Sequence, residues 1–426
     1  MKYFGFVVIA VLAAAALLIP APGVPMPEAE VAAEVTPVAL CAVEEGSGRT
    51  TEIAVLSTLD GPVSLTLFAS GQTAGSIGHE TGSSGSVVVP VVDVAAVGTV
   101  GGLVEMPAAS SAAASTVVGA ESMSSEACGS VPHPLTFVTG ATTASGDTFQ
   151  LHLMNPYAGE AVVELTVHSE AGLESNQRFE SVIVPPRSST IVDFTELVPG
   201  RETLSIAIET GKGRVISVGR QGAAGESAVW QAVPAAQDWF IPVPGGQGRR
   251  EVVIATPNNA EVEYQVDYYG PDGLSEALLS GTLPARGQAT VDVTALSERP
   301  VAVRVVSTAP VVPTLWMESE QGLSVTTASS VGANRWLLPG AGVPEGGWST
   351  VVILNTAIDE SLVTVRPLRD QTAVRSFTVG SDSVLELALE DADGYLIESV
   401  GETVVMWSGH REQSSVAAIG VPLSDG

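Results

Sequence analysis

The chain has almost no lysine. Lys2 and Lys212 are the only two, so 18 − 2 = 16 of its basic residues are arginines, set against 47 acids. A formal charge of −29 excludes a nucleic-acid binder, because displacing counterions from phosphate needs a cationic surface. It also excludes electrostatic docking on anionic lipid. Cysteine is nearly absent: Cys41 and Cys128 are the whole complement. Two cysteines and five scattered histidines supply no metal-ligand cluster, so no metal or other cofactor is expected. The usual enzyme signatures are missing too. No HExxH, GxSxG, SxxK, Walker loop or GxGxxG stands where a site requires it.

Long hydrophobic runs are absent after residue 19. The one run, residues 4–19, follows Lys2 and ends at Pro20. It is long for a signal-peptide core and short for a spanning helix. No good small-x-small cleavage site follows, so residues 1–23 read as an uncleaved signal anchor, the alternative being a cleaved signal peptide with a secreted product. Either way residues 41–426 lie outside the cytoplasm, and the membrane is met through the N-terminal segment only. Residues 24–40 read as a Pro/Ala/Glu-rich tether. In an exported chain two cysteines make a Cys41–Cys128 disulfide the expectation.

What the chain does contain is a repeat. Residues 52–70, 149–169, 251–270 and 349–369 each read as an apolar strand, a polar turn and an alternating strand. The turns begin near Ser57, Asn155, Thr256 and Asn355, a period of about 100 residues, the size of one β-sandwich. Later blocks recur as well: a proline followed by a Val-Asp-like pair, then two closing strands. Val262, Tyr264 and Val266 alternate with Glu261, Glu263 and Gln265, the pattern of a strand with one buried face and one wet face. The expected fold is all-β: four Ig-like antiparallel sandwiches after an N-terminal hydrophobic helix, at residues 41–130, 131–237, 238–334 and 335–426, each with six or seven strands. Short Pro-rich joints at 130–135, 239–246 and 335–342 predict a stiff, elongated rod. Trp239 and Trp336, 97 residues apart, are expected to plug the module junctions.

The motifs resemble an actinobacterial family of extracytoplasmic proteins carrying a domain of unknown function. The resemblance rests on Asn155-Pro156, Val184-Pro185, Val192-Asp193, Trp239-Phe240-Ile241-Pro242 and Trp336-Leu337-Leu338-Pro339, with the leader and the cysteine pair. It covers about residues 1–425. It implies a cell-envelope role near glycan assembly and brings no catalytic residues with it.

Candidate chemistry is sparse. His79, His133, His152, His168 and His410 read as strand or loop histidines. Glu318 and Glu320 beside Trp316 form the nearest approach to a glycosidase pair. Asp391 and Asp393 resemble part of a calcium loop. Trp316 and Trp407 are read as equivalent places in closing strands and as candidate ligand-stacking rings. The expected function is therefore non-catalytic: an envelope binding or scaffold protein whose partner is an envelope protein or a cell-wall glycan. A glycan-recognition protein is the alternative. A hydrolase is the third reading and requires converging carboxylates in a cleft.

Overall fold

The computed structural model describes residues 37–423, apart from 44–49, 70–71, 82–84, 92–98, 120–121, 130, 224, 275–278, 321, 341–346, 369–372, 391–393 and 412–413. The leader, the tether before Pro37 and the Asp391–Asp393 turn lie outside the described residues. Among the described residues no helix is long and apolar enough to cross a membrane.

The chain is nearly all antiparallel β-structure, and one strand order occurs four times. In the first repeat one sheet runs Val38–Ala42, Thr99–Glu105, Pro62–Ala69, Gln72–Glu80. The other runs Ser86–Pro90, Thr50–Ser57, Ser111–Val118, Met123–Ala127. The second repeat matches it with Leu135–Ala141, Leu204–Lys212, Ala161–Ser169 and Gly172–Glu174, then Ser188–Asp193, Thr148–Asn155, Ile216–Ala223 and Glu226–Gln231. Eight strand positions per repeat exceed the six or seven expected.

In the third and fourth repeats the two closing strands are one. Val301–Ser319 pairs with Ala236–Val243 and Val262–Gly270 in one sheet, then with Arg249–Ala255 and Gly322–Thr327 in the other. Gly394–Arg411 does the same against Ala333–Pro339, Ser361–Pro367, Gly347–Asn355 and Ser414–Ile419. The second repeat breaks at this point, at Gly213, whose φ of 72° suits glycine.

The turn that opens each repeat explains the Asn-Pro motif. Asn155 is fully buried, and its Nδ2 donates to the carbonyls of Gly159, Val184 and Pro185 at 2.8, 3.1 and 3.1 Å. Its Oδ1 accepts from the Tyr157 amide at 3.0 Å. Asn355 repeats the set with Asp359, Val379, Gly380 and the Ala357 amide. Ser57 and Thr256 keep the amide contact, accepting from the amides of Leu59 and Asn258. The side chain ties the turn to the returning proline segment, so a small polar residue is required there.

The repeats close into a ring, which overturns the rod. The last strands of the four repeats, Met123–Ala127, Glu226–Gln231, Gly322–Thr327 and Ser414–Ile419, each adjoin two others, and the fourth adjoins the first. Ser124, Ala228, Ser324 and Ser415, one from each strand, meet there. Around this centre the first sheet of each repeat packs on the second sheet of the next. Leu40 and Phe68 meet Met154 and Ile216. Phe240 and Tyr269 meet Val352 and Leu354. Leu337 and Leu396 return to Leu56 and Ala112. Two of the three Pro-rich tracts expected as joints run into opening strands: Trp239–Val243 lies within Ala236–Val243, and Trp336–Pro339 ends Ala333–Pro339. Beyond a single bridge from Phe240 to Ser329, the third repeat's opening strand pairs only with Val301–Ser319, the near-edge position that tolerates Pro242.

Candidate functional site

Cys41 and Cys128 are joined, with a Cα–Cα distance of 4.5 Å at a sequence separation of 87. Mutual amide–carbonyl bonds between Leu40 and Gly129, at 2.7 and 3.0 Å, hold the two segments together. The same bridge recurs as Phe137 with Val233, Phe240 with Ser329, and Leu337 with Val421. Beside it the other repeats place Val138, Ile241 or Leu338 against Ala232, Ala328 or Gly420. A Cβ on Gly420 would come within 2.6 Å of the Leu338 side chain. The cystine thus replaces an aliphatic-on-small packing pair, a structural staple in a core position.

The tryptophans fall differently from expectation. Trp239 and Trp336 are equivalent, but each is buried in the core of its own repeat, 1% and 0% exposed. Trp239 Nε1 donates to the Ala236 and Val311 carbonyls, and Trp336 Nε1 to those of Ala333 and Thr403. Trp316 and Trp407 are offset by one residue. Trp316 faces Glu251, the counterpart of Thr350, whereas Trp407 faces Val351, the counterpart of Val252. A one-residue offset sends side chains to opposite faces of a sheet. Trp316 accordingly packs against the second repeat's core and Trp407 within the fourth. At 9% and 3% exposure neither ring offers a face to a ligand, which corrects the stacking expectation.

Glu318 and Glu320 point to solvent, and Glu318 pairs with Arg249 at 3.6 Å. Among the described residues no three His, Cys, Asp or Glu groups are placed to hold a metal. His152 and His168 lie in different sheets of the second repeat and do not meet. Nor do they line a wet face: His152 is buried and His168 half-buried.

The tryptophan that is exposed is one the sequence did not single out. Trp348 is 45% exposed and stacks on His410, with ring centroids 4.0 Å apart at 22°. Cross-strand register places this pair where other repeats carry Thr50 with Val118, Thr148 with Gly222, and Arg249 with Glu318. The fold therefore does not require an aromatic there. Nearby, Glu386 Oε1 accepts from the Gly245 amide at 3.2 Å and from the Thr350 hydroxyl at 3.3 Å. Burial, opposed by those bonds, raises the Glu386 pKa. Arg250 is buried, and its Nη1 donates to the Gly246 carbonyl at 2.9 Å. Burial first and Arg250 second push the His410 pKa down to about 4, so the imidazole is neutral at pH 7. A half-open indole beside hydroxyl and carboxylate groups has the layout for stacking on a sugar ring.

A second feature lies between the second and third repeats: a cavity of about 150 Å³, lined by Phe137, Ile206, Ala255 and Val312 and by the polar side chains of His168 and Arg286. Burial first and Arg286 second lower the His168 pKa.

Comparison with known proteins gives one family. A model described as a family of unknown function, DUF5719, matches residues 88–390. No curated protein matches the chain. Among solved structures, Thermotoga maritima 1070 shares 15% identity over 22% of this chain and 95% of its own, with a TM-score of 0.19. The chemokine binding protein R17 of rodent gammaherpesvirus Peru shares 10% over 70% of this chain and 88% of its own, at 0.20. The major pilin of Streptococcus pyogenes shares 7% over 90% and 97%, at 0.16. Scores this low transfer neither fold nor function.

Proposed function

The chain belongs to DUF5719, a family of unknown function, and we propose that it is a non-catalytic, extracytoplasmic binding or scaffold protein of the bacterial cell envelope. In this reading residues 1–23 anchor it, and the four two-sheet repeats are Ig-like sandwiches. The observation that carries the reading is the buried Cys41–Cys128 bond, which belongs in an oxidising compartment. The ring adds to it: apolar faces spent on neighbouring repeats leave a rigid body suited to presenting an outer surface. Trapping thiols in intact cells and digesting the protein tests the compartment. A disulfide-linked Cys41–Cys128 peptide from an externally protease-sensitive protein is expected. Reduced cysteines in a protease-protected cytoplasmic protein would overturn the reading.

Trp348 favours a more specific second reading, recognition of a cell-wall glycan. Its stacking on His410 holds the indole in place before a ligand arrives, lowering the entropic cost of binding. Binding of the whole protein to isolated envelope polysaccharide, with Trp348→Ala beside it, separates glycan recognition from a protein-only scaffold.

A further inference from the structure

We propose that the cavity between the second and third repeats is a binding site for a compact apolar monocarboxylate, with Arg286 and His168 holding the carboxylate. The ring supplies its own controls, because all four seams are built from equivalent positions. On the third strand of the first sheet, opposite Gly101, Ala302 and Gly394, the other seams place Phe68, Tyr269 and Leu368. All three are buried in apolar clusters between repeats. Opposite Ser205 the second repeat has His168.

The facing strand departs in the same direction. Immediately before the turn residues Ser57, Asn155 and Asn355 stand Leu56, Met154 and Leu354, which fill their seams. Before Thr256 stands Ala255, which lines the cavity. Two large apolar side chains have been exchanged for a histidine and an alanine across one interface, and a hole of about 150 Å³ is left. A cavity of that size takes a body about as large as benzene.

The polar groups narrow the class. His168 Nε2 is buried without a hydrogen-bond partner. Ser205 donates to Gln288 and Thr256 to the Pro310 carbonyl, so those hydroxyls are engaged. The Arg286 Nε donates to Asn259 at 2.6 Å, and the guanidinium makes no ion pair among the described residues. Glu209 also lines the cavity and disfavours a dianion such as a phosphate ester. An apolar floor, one cation and one imidazole fit a monoanion with a small aromatic or branched aliphatic body.

The test is titration calorimetry of the whole protein with benzoate, and with 3-methylbutanoate, benzyl alcohol and phenyl phosphate for comparison. Saturable binding of either monocarboxylate is expected, weaker by tenfold or more for the alcohol and the phosphate ester. His168→Phe, which copies Phe68, should abolish binding while keeping or raising Tm. Arg286→Asn, a residue that tolerates the local φ of 53°, should weaken the monocarboxylate about tenfold and leave benzyl alcohol unchanged. No saturable binding of either acid overturns the proposal. So does equal binding of acid and alcohol, or benzoate affinity unmoved by both substitutions in folded protein.

Discussion

Replacing Asn155 with alanine should unfasten the second repeat at its opening turn. The side chain is fully buried and joins three carbonyls to one amide across a chain separation of up to 30 residues. Two Nδ2 hydrogens and one Oδ1 acceptor make about three effective bonds, each with a net value of about 1 kcal/mol. Gly159 is exposed, so its carbonyl finds water, but the bond to Val184 is buried and its loss leaves an unsatisfied acceptor. The expected cost of Asn155→Ala is about 2–4 kcal/mol. Asn155→Thr is the internal control. Thr256 already accepts from an amide two residues on, so threonine should restore that one bond and recover part of the loss, about 1 kcal/mol. The assay is urea unfolding followed by tryptophan fluorescence, Trp230 reporting on the core of the second repeat. Hydrogen exchange at Tyr157 locates the change. A cost below about 0.5 kcal/mol, or identical alanine and threonine variants, would refute the assignment of the turn's strength to this side chain.

Other perturbations have outcomes of stated sign. Cys41→Ser with Cys128→Ser reopens a loop of 87 residues and should cost about 4.6 kcal/mol at most by chain entropy, read as a lower urea midpoint for the first repeat. Glu126 is buried with Oε2 unpartnered, and burial raises its pKa. A raised carboxyl gives stability that is full below the unfolded pKa and lost as pH rises toward the folded value. Glu126→Gln should therefore stabilise by about 1–3 kcal/mol at pH 7 and flatten that dependence, checked by unfolding at several pH values. His410 is the opposite case, with its folded pKa lowered to about 4. Its stability contribution is complete above the unfolded value near 6.5 and is lost as pH falls toward 4. The loss is at most about 3 kcal/mol, and His410→Phe should remove it.

The alternation Val163, Leu165, Val167 against Glu164, Thr166, His168 gave the strands directly, because one face is a core in every repeat. The turn residues and the cysteine pair were equally readable, each being a local chemical requirement. The ring was not, although it left a trace. Phe68 beside Leu67, Met154 beside Leu153, and Leu354 beside Ile353 put apolar groups on both faces, as strands covered on both sides do. Phe68, Met154 and Leu354 are the residues that mark the seams. Trp316 and Trp407 were misplaced for a related reason: spacing along a strand shows equivalence only when the register is known to the residue. Trp348 and His410 are about 60 residues apart and become neighbours only through strand pairing, which no local pattern shows.

Closure of the ring is tested most directly by a cross-link between the first and fourth repeats. A Cβ built on Gly340 lies 3.7 Å from the Ala54 Cβ, within the range a disulfide spans. The ring predicts that the whole protein carrying Ala54→Cys and Gly340→Cys oxidises to an intramolecular 54–340 bond, seen as faster migration without reductant and as a linked peptide by mass. A rod would hold these positions about three module lengths apart, and no intramolecular 54–340 bond in a folded protein would contradict closure.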